Sequence, residues 1–293
     1  MWDFDTFLGV DSLVWSFLLL YIFLVSNSTS PFGVLLGLSV VLKPSYVQET
    51  WSLLSVYPER LVSIWIPGLV LLVYWIHGLL LLVLDIYKWE PLYKYKLQPR
   101  VEVNVHKLPR LFRRVLSVQL GVYVPISLVV SWISINTNYG LSISKNVPSS
   151  RELLVDILGF AVVDEILFYA AHRAAHSRPL YKYVHKVHHE YTAPIALATD
   201  YCHPLEHCFV NVLPNIGYIV CGPHAYSYLI WWLLSYLSSQ TNHSGYRFPT
   251  ADLTREPQPD FHDKHHERFD CNFGTNGVLD WLFSTAYKQT KIK

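Results

Sequence analysis

Residues 164–189 read DEILFYAAHRAAHSRPLYKYVHKVHH. The stretch carries His172 and His176, then His185, His188 and His189, and a related cluster, His262, His265 and His266, follows in HDKHH. On a helix, residues three and four apart share a face, with Cβ atoms about 5–6 Å apart. The spacing therefore predicts that each cluster aims its imidazoles in one direction. Neutral imidazole is a ligand for zinc, iron, copper or nickel. Twelve of the fourteen histidines lie between His172 and His266. Packing alone has no use for that concentration, so the region reads as a metal site.

The rest of the chain is greasy. Of 293 residues, 52% are hydrophobic and 15% charged, and the net charge is +1. That balance, with long apolar runs, marks an integral membrane protein and gives no sign of nucleic-acid binding. Cys202, Cys208, Cys221 and Cys271 form no C-x-x-C pair and read as reduced thiols.

Working outward toward the N-terminus, residues 63–87 form the clearest span, SIWIPGLVLLVYWIHGLLLLVLDIY, with Trp65 and Trp89 near its ends. His77 inside it reads as a helix–helix hydrogen-bonding residue. The earlier run 13–25 reads as a signal-anchor or first span, because the only charged residues before it are Asp3, Asp5 and Asp11. Residues 31–42, after a formal sequon at Asn27, read as a re-entrant or interfacial piece, or half of a hairpin. This gives a membrane-anchor region over 1–62 and a main domain over 63–293, with the histidine region at 152–287.

The loop 88–114 is basic, and the positive-inside rule places it in the cytosol. Residues 115–135 then span outward and 153–171 return, bringing His172 to the cytosolic end. Asp156, Asp164 and Glu165 are unusual in a span and are expected to fix nearby imidazoles or arginines. Residues 205–221 and 225–239, broken at Cys221-Gly222-Pro223, read as a hairpin that brings the 262 cluster back to the others.

His243, at the start of a polar segment, joins the ligand set. His203 and His207 in HPLEH read as residues beside the metal ligands or in the substrate pocket, and His106 and His224 as structural. Asp164, Glu190, Asp263 and Glu267 flank the clusters, where carboxylates orient ligating imidazoles through the other ring nitrogen. A structural zinc takes four ligands and a catalytic zinc three. Nine histidines exceed either number, so two metal ions are implied. Nitrogen-rich ligation at a membrane face suits redox iron better than a hydrolytic zinc pair.

HRAAH, HKVHH and HDKHH, with NHSGY before the last, resemble the fatty acid hydroxylase/sterol desaturase superfamily. The fuller strings are similar to those of sterol 4-methyl oxidases (methylsterol monooxygenases) and fatty acid hydroxylase domain-containing proteins. YKYKLQ and GVLDWLFST support the resemblance, which covers roughly residues 85–287. It implies an all-α fold: a polytopic transmembrane helix bundle with a cytosolic histidine-rich helical cap holding a di-metal site. It further implies the endoplasmic reticulum membrane, two iron ions, dioxygen, and electrons from NAD(P)H through a microsomal b-type cytochrome and its reductase. No nicotinamide or flavin fingerprint is present, so the reductant comes from an external carrier.

The expected reaction is hydroxylation or oxidation of a C–H bond in a sterol or other membrane lipid. The expected ligands are His172, His176, His185, His188, His189, His243, His262, His265 and His266, with zinc able to replace iron in isolated protein. One departure stands out: many relatives carry a second histidine four residues after the one matching His243, where this chain has Arg247. If buried beside two cations, that guanidinium needs a partner such as Asp263 or Glu267. A zinc-dependent lipid enzyme, or a catalytically silent lipid-binding or regulatory protein that keeps the metal cage, are the competing readings.

Overall fold

The computed structural model describes residues 44–248 and 258–288. The apolar runs 13–25 and 31–42 and the sequon at Asn27 lie outside them. The described residues are helical, and their only β-type contacts are isolated bridges, Lys96–Tyr246 and Ser142–His224. We label the helices α1 (Pro44–Leu54), α2 (Pro58–Tyr87), α3 (Val105–Asn136), α4 (Ser150–Ala175), α5 (178–185), α6 (204–221), α7 (Ala225–Asn242), α8 (Gln258–Arg268) and α9 (Val278–Leu282).

Proline shapes three of them. Proline lacks an N–H and clashes with the carbonyl four residues back, so the helix must loosen there. In α2, α3 and α6 the backbone widens to π geometry at Leu61–Trp65, Gln119–Tyr123 and His207–Val212. Pro67, Pro125 and Pro214 each follow within two residues, and the carbonyl four back falls inside the widened turn. The helices bend there without breaking.

α2 and α3 are long and apolar enough to cross a membrane, and only 44% and 33% of their apolar windows are buried. The remainder, including Leu72, Leu80, Val83, Leu120, Val129 and Trp132, faces outward, unlike the core helix of a soluble protein. α4 carries Asp156, Asp164 and Glu165 and does not meet the same criterion. It begins at a full capping box, in which Ser149 accepts from Glu152 N–H and Glu152 accepts from Ser149 N–H.

α7 is buried on nearly every side and forms the axis of the bundle. Its rings meet those of its neighbours: Tyr236 on Tyr74 of α2, Trp232 on Tyr123 of α3, and Trp231 stacked on Phe160 of α4. His77 lies against α7 too, with Nδ1 2.9 Å from Gln240 Oε1. α6 and α7 form the expected hairpin, turning at Gly222, whose φ of +72° favours glycine. Residues 44–62 share this core, since Trp51 packs edge-on against Tyr226. The C-terminal ends of α2, α4 and α7 and the N-terminal end of α3 meet at one end of the bundle, where the histidines lie.

Candidate metal centre

α4 supplies His172 in its last turn and His176 at its C-cap. The chain re-enters helix at α5, where the π turn Tyr181–His185 sets His185, and a 3-10 turn at His188–Glu190 follows. α7 ends on His243, and α8 contributes His262, His265 and His266. After α8, Phe269 and Asn272 both adopt left-handed backbone, with φ of +68° and +59°. That conformation is costly for phenylalanine. The strained loop turns two carbonyls onto imidazoles: Cys271 O accepts from His265 Nδ1 and Phe273 O from His172 Nδ1, both at 2.7 Å.

All nine imidazoles converge, in two groups. His172, His176, His185, His189 and His265 form one, and His188, His243, His262 and His266 the other, with one ring nitrogen of each within 4.8 Å of the others in its group. The partition corrects the expectation that each sequence cluster aims one way. His188 leaves its neighbours His185 and His189, and His265 leaves His262 and His266. Successive residues on an α-helix point about 100° apart, so adjacent histidines face different centres.

The ring nitrogens face one another at hydrogen-bonding distance. In the first group His185 Nε2 lies 2.8 Å from His176 Nε2 and 3.0 Å from His189 Nε2, and His265 Nε2 lies 3.2 Å from His176 Nε2. In the second, His262 Nε2 lies 2.9 Å from His243 Nε2 and 3.1 Å from His266 Nε2. Oxygen partners at Nδ1 fix the tautomers. His172, His265, His243 and His266 donate to carbonyls of Phe273, Cys271, Ser239 and Tyr191, and His185 donates to Glu206 Oε1. A neutral imidazole that donates from Nδ1 has only a lone pair at Nε2. His262 Nε2 thus faces two lone pairs and has at most one proton to offer.

A cation resolves this arrangement. Metal–nitrogen bonds of about 2.0–2.1 Å place ligand nitrogens about 3.0 Å apart at right angles and about 3.4 Å apart in a tetrahedron. The observed separations fall in and just below that range, so the donor set fits a transition-metal ion in each group.

Burial keeps these rings neutral. It draws His172 and His243 down to about 4, with a carbonyl partner opposing the shift in each. His188, His262, His265 and His266 are held well below the ordinary imidazole range, first by burial and then by neighbouring imidazoles. Neutral rings are the metal-binding form.

The flanking residues behave differently from their sequence reading. Glu190 accepts from Arg110 and Tyr201, and Asp263 accepts from Gln98. Glu267 pairs with Lys264 on the surface of α8. Each was expected to orient an imidazole, but these carboxylates take other partners. Glu165 accepts from the backbone of Thr275, Asn276 and Leu279, and so anchors the loop before α9. Asp164 lies buried two turns before His172 on α4, on the wall of a cavity that His172 also lines. Arg247 is not buried: its side chain is 43% exposed and Nε lies 2.9 Å from Asp260 Oδ2, so neither Asp263 nor Glu267 is its partner. His203 caps α6 by accepting from Leu205 N–H, and His207 is buried 3.7 Å from Asp200. His106 lies exposed in the first turn of α3, and His224 caps α7.

The residue that sequence reasoning missed is Glu206. It sits between the two histidines of HPLEH, and a lone carboxylate there was the available signal. A cavity of about 70 Å³ adjoins both groups, lined by His172, His185, His188, His243 and His262 and by Asp164, Asp200, Asn215, Trp232 and Tyr236. The four cysteines are free thiols.

A model of the fatty acid hydroxylase family matches residues 157–285, which takes in all nine histidines. The chain is 36% identical over 202 residues to fatty acid hydroxylase domain-containing protein 2 of Macaca fascicularis, covering 68% of this chain and 59% of that one. Methylsterol monooxygenase 2-2 of Arabidopsis thaliana is 32% identical over 209 residues, 69% of this chain and 77% of the relative. Very-long-chain aldehyde decarbonylase GL1-11 of Oryza sativa subsp. japonica is 33% identical over 199 residues, covering 66% and 74%. The chain spans only about half the length of the mammalian relatives, 59% and 44%. No solved structure matches. Helices able to cross a membrane, imidazoles gathered for metal and these relatives agree: the chain belongs to the fatty acid hydroxylase family.

Proposed function

We propose that the chain is a di-iron, dioxygen-dependent membrane monooxygenase acting on a sterol or another lipid, with the nine converging histidines as ligands. One observation carries the reading: two adjoining groups of neutral imidazoles with opposed lone pairs beside one cavity. Bound iron would supply the electron-transfer chemistry that dioxygen activation requires. The chain does the rest. Phe273, Cys271, Ser239 and Tyr191 carbonyls and the Glu206 carboxylate hold the rings in the Nδ1–H tautomer and aim Nε2 inward. Eight of the nine rings are buried, and His176 is half-buried, which keeps bulk water from the centre.

The cytosolic face of the endoplasmic reticulum is the proposed location, with electrons from NAD(P)H arriving through the b-type cytochrome and its reductase. In support, the basic loop meets the histidine end directly, through Arg110 on Glu190 and Gln98 on Asp263. Labelling of a cysteine placed at 107 or 187 from the lumen would contradict this topology. The catalytically silent reading loses its main motive, because Arg247 points away from the imidazoles.

The deciding experiment uses purified protein in detergent, reconstituted with iron and a reducing system. We expect about two metal ions per chain and lipid product that depends on oxygen uptake. Fully loaded, folded protein that yields product without oxygen, or none from any sterol or acyl lipid, overturns the assignment.

A further inference from the structure

Residues 93–98, YKYKLQ, touch no imidazole, yet they reach both segments that frame the second group. Residues 95–97 pair antiparallel with 245–247: Leu97 N–H donates to Gly245 O at 2.8 Å and Arg247 N–H to Tyr95 O at 2.9 Å. The Lys96 ammonium lies 2.5 Å from Asp85 Oδ1 and 2.9 Å from Ser244 O, the carbonyl directly after His243. Both charged side chains are buried, at 5% and 1% exposure. Tyr246 closes the knot, donating from its hydroxyl to Asp85 Oδ1 at 2.8 Å while its ring covers the ammonium at 4.4 Å.

Two residues on, Gln98 turns the other way. Its Nε2 donates to both oxygens of Asp263, at 2.9 and 3.0 Å, between His262 and His265 in sequence. The same nitrogen lies 3.3 Å from Thr192 O, next to the Tyr191 carbonyl that takes the His266 proton. One short stretch therefore fixes the segments bearing His243, His262 and His266 to the end of α2. The first group has other supports: Phe273, Cys271 and Glu206 hold His172, His265 and His185, and none of these contacts involves residues 93–98.

We propose that Lys96 and Gln98 are positioning residues that clasp the four-imidazole group, so that its metal can be lost while the five-imidazole group keeps its own. The proposal rests on the two-metal reading above. A buried ion pair costs desolvation of both charges, and removing one partner strands the other. Lys96 is thus spent on location: it sets the chain direction at His243. His265 has its own tether in the loop after α8, where its Nδ1 donates to Cys271 O at 2.7 Å, a contact independent of residues 93–98.

The test is titration of metal-free protein with cobalt(II), whose ligand-field spectrum reports each filled site apart from any activity. Wild-type protein should take up about two equivalents. Gln98→Leu, and the charge-neutral pair Lys96→Met with Asp85→Asn, should keep the first equivalent at wild-type affinity and weaken the second by about tenfold or more, the usual cost of losing outer support of ligands. Lys264→Met, which removes the Glu267 pair and a contact with the Tyr287 ring and no bond to the clasp, should bind like wild type. The double variant keeps the buried site free of a lone charge, and Gln98 is half-buried, so folded protein is expected from at least one. Two equivalents at wild-type affinity in both variants, or equal weakening of both equivalents in folded protein, overturns the clasp. Failure of wild-type protein to bind a second equivalent instead overturns the two-metal reading.

Discussion

His185 and Glu206, twenty-one residues apart, form a buried pair in which Nδ1 donates to Oε1 at 2.7 Å, with side-chain exposures of 1% and 2%. Glu206 lies in the first turn of α6, directly before the π turn that begins at His207. The carboxylate fixes the tautomer of His185 and strengthens it as a donor to a metal.

Glu206→Gln keeps an acceptor but cannot carry a negative charge beside a metal-bound imidazole, and metal affinity of the five-imidazole group should fall about 10-fold. Glu206→Ala leaves His185 without an acceptor and should fall toward about 100-fold. Competition with a chelator, measured on monodisperse protein, checks the order; equal affinity in all three proteins contradicts the role.

His188→Ala and His265→Ala strike different groups and should each lower metal content, ending oxygen-dependent product formation. His77→Ala and His106→Ala should leave metal content near wild type, because His77 bonds Gln240 and His106 is exposed. Elemental analysis of folded variants separates ligand loss from general destabilisation.

Arg247→His should add no metal. The side chain is half-exposed and directed at Asp260, so an imidazole there starts on the outer face. Metal content should match wild type, and the lost ion pair should cost under about 1 kcal/mol. A third or more tightly held ion in this variant contradicts the placement.

Metal-free protein should be acid-sensitive. The unfolded chain protonates histidine near pH 6.5, while burial holds His172 and His243 at about 4 in the fold. Between those values the unfolded state binds more protons, so stability falls as pH falls, by about 1.4 kcal/mol per unit for each such ring. Melting temperatures of the metal-free protein should be level above pH 7 and drop from about pH 6.5 toward 4. A flat profile over that window contradicts neutral burial of these rings.

The sequence marked nine imidazoles as one candidate ligand set by their density and their three- and four-residue spacing, although that spacing did not decide which of them share a centre. It also marked α2 and α3, whose apolar length depends on composition only. Which centre each imidazole serves was settled by tertiary structure. His188 and His189 are adjacent in the chain, yet the turn after α5 and the docking of α8 send them to different groups. The carboxylates were illegible for the same reason. Nothing in the immediate neighbours of Glu206, Glu165 and Asp263 tells their roles apart. Their partners, His185, the backbone of Thr275 and Gln98, lie 21, 110 and 165 residues away. Arg247 shows the limit most plainly. Its position in the motif suggested a cation inside the cage, but the antiparallel pairing of residues 245–247 with 95–97 turns it outward, and only folding brings those two segments together.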